Sequence, residues 1–209
     1  MNGNYVINLG RQLGSGGREI GEKLATSLGI SFYDKELINL ASKESGLCKN
    51  FFEQADEKAS QPIIGGLFGM RFPFLSDGII PSNNCLSNDA LFKVQSDVIR
   101  KLAAEQSCLF VGRCADYILR DHPCHINVFI SAALPDRIAR ICDNRKITKE
   151  EAEELINKTD KRRSEYYNYY SYKTWGAAET YHLCIDSSIL GIDDTVKFIQ
   201  EFVKKRLSL

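Results

Sequence analysis

Between Tyr5 and Gly21 the chain reads Tyr-Val-Ile-Asn-Leu-Gly-Arg-Gln-Leu-Gly-Ser-Gly-Gly-Arg-Glu-Ile-Gly, and few folds accommodate that order. Tyr5 to Leu9 form a short apolar run of the kind a buried parallel strand uses. Gly14, Ser15, Gly16 and Gly17 then make a loop with almost no side chains. From Glu19 to Leu28 the chain carries Ile20, Leu24 and Leu28 at helical spacing, and Gly29 is placed to cap the end. Strand, glycine-rich turn and helix make a phosphate cradle, because glycines let backbone N–H groups approach an anion and the helix N-terminus adds positive potential. Gly14, Ser15, Gly16, Gly17, Arg18 and Glu19 are the candidate ligand-binding residues. The alternative is a tight turn whose glycines serve only helix–strand packing.

The loop departs from the regular G-x-x-x-x-G-K-[ST] pattern, which places a lysine and a hydroxyl after its last glycine. Here Gly16 is followed by Gly17, Arg18 and Glu19. Arg18 is a candidate to replace the lysine one position late, and an ion pair with Glu22 is its competing role. No Ser or Thr stands ready for magnesium.

Alternation sets the fold class. Strand-like runs recur at Tyr5–Leu9, Cys108–Val111, Ile126–Ile130 and His182–Ile185. Helical patterns occupy Glu19–Leu28, Asp34–Ser45, Asp89–Gln106, Pro135–Asn144, Lys149–Tyr170 and Asp193–Leu207. An α/β fold follows, a parallel sheet with helices on both faces and ligands at one edge. Residues 60–88 differ, with Pro62, Pro73 and Pro81 among glycines and the apolar Phe68, Phe72, Phe74 and Leu75. They suit either a flap or an irregular loop with its own small cluster.

Composition narrows the partners. With 27 basic and 27 acidic residues the chain has no net charge, which argues against nucleic acid or an acidic membrane as main partner. No apolar run reaches membrane-spanning length, and Met1-Asn2-Gly3-Asn4 does not begin a signal peptide. The seven cysteines form no C-x-x-C pair and read as reduced, mostly buried thiols of a cytoplasmic protein. The three histidines suggest no metal site.

Several segments together carry a resemblance: Arg11 to Ile20, Phe32-Tyr33-Asp34-Lys35-Glu36-Leu37, Val111 to Leu119, Asp160-Lys161-Arg162-Arg163 with Tyr166-Tyr167, and Tyr181 to Ser188. In this order they resemble the cytidylate kinase-like family, a branch of the P-loop nucleoside monophosphate kinases. The resemblance implies a P-loop NTPase-type three-layer αβα fold in a single domain over 1–209. It further implies a flap or monophosphate-binding insert over 46–88 and a helical lid over 134–175. The implied activity is transfer of the γ-phosphoryl of ATP, with magnesium, to a nucleoside monophosphate, CMP by resemblance. A non-catalytic nucleotide-binding module and a kinase for another small phosphoacceptor are the alternatives.

Residue by residue, Asp34 holds the place of the family's aspartate near the monophosphate nucleoside, or caps the helix that follows it. Val111-Gly112-Arg113 resembles the family's Asp-Gly-Arg turn. Arg113 is poised to grip a phosphate in two-pronged fashion or to form a structural ion pair, while Val111 cannot serve a metal as aspartate would. Asp116 is the nearby substitute, or a first-turn carboxylate facing a helix dipole. Pro135 opens a helix with Arg137 and Arg140 on one face, and Thr148-x-x-Glu151 is a capping box for the next. Lys158, Lys161 and Arg162 project from that second helix with Arg163 adjacent. The resemblance makes this pair the lid, its arginines meeting the transferring phosphoryl; the alternative is two solvated amphipathic helices. Tyr166, Tyr169 and Tyr170 fall on one helix side, with Tyr167 diverging, and suit base stacking, packing on the sheet, or a second subunit in a homodimer. The resemblance also puts the loop at Asp186-Ser187-Ser188 near the donor's adenine.

Overall fold

The computed structural model describes residues 3–35, 37–38 and 88–208. Five parallel strands are described: β1 (Val6–Arg11), β2 (Ser31–Tyr33), β3 (Cys108–Val111), β4 (His125–Ser131) and β5 (Leu183–Asp186). They lie in the order β2-β3-β1-β4-β5. The connections leaving β1 and β3 therefore run in opposite directions along the sheet. Such a reversal opens a crevice outside the carboxyl ends of the two strands.

The helices are α1 (Gly17–Leu28), α2 (Asn88–Glu105), α3 (Ala115–Ile118), α4 (Leu134–Arg145), α5 (Lys149–Ser171) and α6 (Ser187–Leu207). The chain divides into two compact units, 1–35 with 99–209, and 36–98. The first contains the whole sheet. Of the second, only residues 37–38 and the start of α2 are described. The expected helix over 34–45 and insert over 46–88 fall almost entirely outside the described residues.

Burial explains the strand runs. Val6, Ile7 and Leu9 in β1 and all four residues of β3 are buried, as central strands covered on both faces must be. Ile7, Leu9, Leu109, Val111, Ile126, Val128 and Ile130 form one core with Ile20 and Leu24 of α1 and Val196, Ile199 and Val203 of α6. Each such side chain contributes about 1.5–3 kcal/mol when fully buried. Midway along β1, Asn8 donates from Nδ2 to Asn127 Oδ1 at 2.9 Å, a bond between register partners.

Local signals set the helix ends as the sequence indicates. Gly29 adopts the left-handed cap of α1 at φ 65°, and Pro135 stands in the first turn of α4. Thr148 accepts from Glu151 N while the Glu151 carboxylate accepts from Thr148 N at 2.8 Å, the full capping box of α5. α6 begins earlier than Asp193, because Asp186 caps it by accepting from Ser188 N at 2.8 Å; Gly191 then breaks the helix at φ 72°. A small second core of Ile141, Ala152 and Ile156 joins α4 to α5, and Leu13 packs against it.

Two expectations need correction. Of the five described cysteines, Cys108 and Cys114 are buried, Cys124 and Cys142 are half-buried and Cys184 is exposed, all as free thiols. The buried tyrosine of α5 is Tyr167, with Ser171 one turn on, whereas Tyr169 is 65% exposed. The helix meets the body of the protein through the tyrosine that the spacing argument set apart.

Candidate phosphate-binding site

The loop between β1 and α1 is shaped by two left-handed glycines. Gly14 lies at φ 78° and Gly16 at φ 74°, where an L side chain costs roughly 1–2 kcal/mol. Space excludes side chains as well. A Cβ at Gly14 would lie 2.8 Å from the carbonyl oxygen of Arg137, and one at Gly16 would overlap the Ile192 side chain. Ser15 is fully buried. Its hydroxyl donates to Gln12 O at 2.9 Å and accepts from Gly17 N at 3.3 Å, so Ser15 shapes the loop from within. From the far side the Ser187 hydroxyl lies 2.7 Å from Ser15 O. Ser187 thus braces the loop, and its neighbours Asp186 and Ser188 are occupied in capping α6 and binding Ala133 N.

Gly16 caps α1 without a side-chain bond. The first helical bond runs from Ile20 N to Gly16 O at 2.9 Å. The amides of Arg18 and Glu19 therefore stand ahead of the ladder, at the positive end of the helix dipole.

Three arginines tie down the loop's carbonyls. Arg137 donates from Nε to Leu13 O at 2.7 Å, Arg140 donates to Gly14 O, and Arg163 donates to Arg11 O at 3.1 Å. In a trans peptide C=O and the following N–H point opposite ways, so fixing Leu13 O aims the Gly14 amide to the other side. Asp160 completes the frame. One of its oxygens accepts from Leu13 N at 2.8 Å and the other pairs with Arg137. Arg163 lies 3.7 Å from the same carboxylate.

This arrangement reassigns several residues. Arg137 is 6% exposed, and its guanidinium is held by Leu13 and Asp160. It is a strut for the loop, in place of the phosphoryl contact expected of it. Arg18 pairs with Asp34 at 2.9 Å and with Glu22 at 3.2 Å, its guanidinium 5.8 Å from the Phe32 ring centre. Two carboxylates therefore neutralise the expected lysine replacement. The same pair turns the Asp34 carboxylate, whose side chain is 4% exposed, toward Arg18. The Glu19 side chain pairs with Lys23 at 2.9 Å on the helix surface, which leaves only its amide facing the loop's task. Arg162 is half-buried on α5.

At the end of β3, Gly112, Arg113 and Cys114 occupy the left-handed region in succession, at φ 77°, 59° and 54°. Two non-glycine residues held there store backbone strain, which the surrounding structure must over-determine. The Arg113 guanidinium sits 5.6 Å from the Tyr166 ring centre. Burial pushes the Tyr166 hydroxyl up to about 12, opposed by the charge of Arg113. Asp116 is buried and accepts from the Tyr167 hydroxyl at 2.5 Å. Desolvation raises its pKa, and the Tyr167 bond opposes that rise without overcoming it. Asp116 is thus engaged by α5 and is not available as the metal-facing substitute expected of it. Among the described residues no group of three or more His, Cys, Asp and Glu is placed to hold a metal.

Sequence spacing does not single out Asp160 or Arg11 as site residues, and the resemblance places Ser187 only within the loop expected near the donor's adenine. Asp160 reads as one more carboxylate balancing a charged helix. Its only distinguishing signal is its place at the head of Asp160-Lys161-Arg162-Arg163.

An all-parallel sheet in the order above, with a glycine loop between its central strand and α1, defines a P-loop kinase-type three-layer fold. The chain belongs to the cytidylate kinase-like family, whose model matches residues 6–189. It is similar to the structure of an uncharacterized protein from Eubacterium ventriosum, at 28% identity and TM-score 0.73, covering 97% of this chain and 99% of that one. Two shikimate kinases share the fold. The one from Bacteroides thetaiotaomicron has 11% identity and TM-score 0.52, with 96% and 98% of the two chains covered. The other, from Acinetobacter baumannii in complex with shikimate, has 16% identity and TM-score 0.50, with 98% and 94% covered. No curated protein matches the chain. Among the described residues no helix is long and apolar enough to cross a membrane.

Proposed function

We propose that the chain binds ATP at the loop from Gly14 to Glu19 and passes its γ-phosphoryl to a nucleoside monophosphate, with CMP the acceptor the family suggests. The observation that carries this reading is the set of arginine bonds to the carbonyls of Arg11, Leu13 and Gly14. It holds the loop's acceptors away from an anion and keeps the guanidinium of Arg140 beside the loop. The phosphates would meet the amides of Gly14, Arg18 and Glu19, with Arg140 and Arg163 within reach and Arg162 on the same helix as Arg163. Arg113 would grip the acceptor's phosphate.

Phosphoryl transfer of this kind needs positioning and charge neutralisation and no covalent intermediate. The arginine frame suits that demand. Bound magnesium would neutralise phosphate charge. With no Ser or Thr after the loop and Val111 at the end of β3, it would be held chiefly by phosphate oxygens and water.

The second reading, a nucleotide-binding module without turnover, is favoured by the engagement of Asp116 with Tyr167 and of Asp34 with Arg18. An ADP-release assay across CMP, dCMP, UMP and AMP, paired with calorimetry of ATP binding, decides between them. Turnover on any acceptor establishes the kinase. Tight ATP binding with no turnover establishes the module, and no binding removes both.

A further inference from the structure

The residue that follows Gly16 is a glycine for a reason its own backbone does not supply. Gly17 is the first residue of α1 and is not among the positive-φ positions, so alanine there would relieve the entropic cost of glycine in a helix. Arg11 is what excludes a side chain. A Cβ at Gly17 would lie 2.5 Å from Arg11 Cβ and 3.0 Å from its Cγ. The stem of Arg11 passes over the spot from which a P-loop lysine would project.

A second glycine receives the other end of the same side chain. A Cβ at Gly112 would overlap one guanidinium nitrogen of Arg11 and lie 3.2 Å from its Cζ. Gly112 opens the strained turn that carries Arg113. The Arg11 guanidinium therefore lies between the phosphate loop and that turn, across the carboxyl ends of β1 and β3, where the crevice of this sheet order falls. Arg163, bonded to Arg11 O, fixes the backbone from which the side chain springs.

From this juxtaposition of Arg11 with Gly17 and Gly112 we infer that Arg11 supplies the cation that a lysine supplies in the regular loop, binding the terminal phosphates of a nucleoside triphosphate. The inference rests on the reading of the loop as an ATP cradle. A planar guanidinium suits the role, since its fork grips two phosphate oxygens at once. Arg18 lies one residue too late and is neutralised by Asp34 and Glu22, whereas Arg11 enters from the strand side.

Calorimetry with ATP and with inorganic tripolyphosphate tests the assignment. Arg11→Met keeps an apolar stem over Gly17 and removes the charge. Both probes should then bind roughly tenfold weaker or worse, in a chain that circular dichroism shows to be folded. Arg11→Gly with Gly17→Lys should regain most of the lost affinity, because the glycine removes the Cβ and Cγ that a side chain at position 17 would strike. Wild-type affinity in Arg11→Met overturns the inference while leaving the cradle intact. So does a loss that appears in Arg18→Ala and not in Arg11→Met. A wild-type chain that binds neither probe removes the cradle itself, and Arg11's part with it.

Discussion

The carboxylate of Asp160 accepts a hydrogen bond from the amide of Leu13 at 2.8 Å, across 147 positions of sequence. Through its other oxygen it holds Arg137, which in turn donates to Leu13 O. One residue of α5 and one of α4 thus clamp both polar groups of a single loop residue, whose side chain packs against the core those helices share. In this family member the helices expected to form a lid are bonded to the phosphate loop.

Asp160→Asn removes the charge and keeps the shape. The Asp160 and Arg137 side chains are only 15% and 8% exposed, so the orphaned guanidinium should cost about 3–5 kcal/mol of stability. Denaturant unfolding measures it. A loss below about 1 kcal/mol, or simple additivity with Arg137→Gln, would show that the pair is not a coupled strut.

Gly16→Ala should destabilise the fold as well as weaken nucleotide binding. Its φ of 74° costs an L residue roughly 1–2 kcal/mol, and the new methyl would meet Ile192. Shortening the obstacle with Ile192→Ala should recover the steric part alone. If Gly16→Ala melts with the wild type, the loop is softer than its contacts indicate.

Arg113→Lys should raise the acceptor's KM about tenfold or more with the KM for ATP little changed, because a point charge does not replace a two-pronged donor. Steady-state kinetics with each substrate varied in turn makes the distinction. Equal effects on both KM values would take Arg113 away from the acceptor side.

Asp116 makes stability depend on pH in the direction opposite to a paired surface carboxylate. Its folded pKa is raised, chiefly by burial, so the folded chain keeps the proton above the unfolded value of about 3.9. As pH rises from that value through the folded pKa, the folded state binds the more protons and stability falls. Asp116→Asn cannot ionise and escapes this loss. Its melting temperature relative to wild type should therefore climb between pH 4 and pH 7. A flat or falling difference would mean that the Tyr167 bond outweighs desolvation.

The sequence by itself determined whatever depends on neighbours along the chain. The apolar run of β1, the left-handed glycines of the loop, Gly29 at the end of α1 and the Thr148–Glu151 box all appear where local chemistry puts them. It also determined the fold class, because alternating strands and helices leave a parallel sheet few ways to be covered. Tertiary structure decided which charge meets which. Helical spacing put Arg137 and Arg140 on one face but could not say that Arg137 would be buried against Leu13 and Asp160. It placed Tyr167 apart from Tyr166 without revealing which of them would turn inward to Asp116. The side-chain stem over Gly17 is that of Arg11, six residues earlier, because a strand's last residue reaches back across the loop that follows it. Periodicity fixes the angle between side chains on one element, whereas the partner each of them finds depends on segments distant in the chain, 124 residues away for Arg137 and Leu13 and 51 for Tyr167 and Asp116.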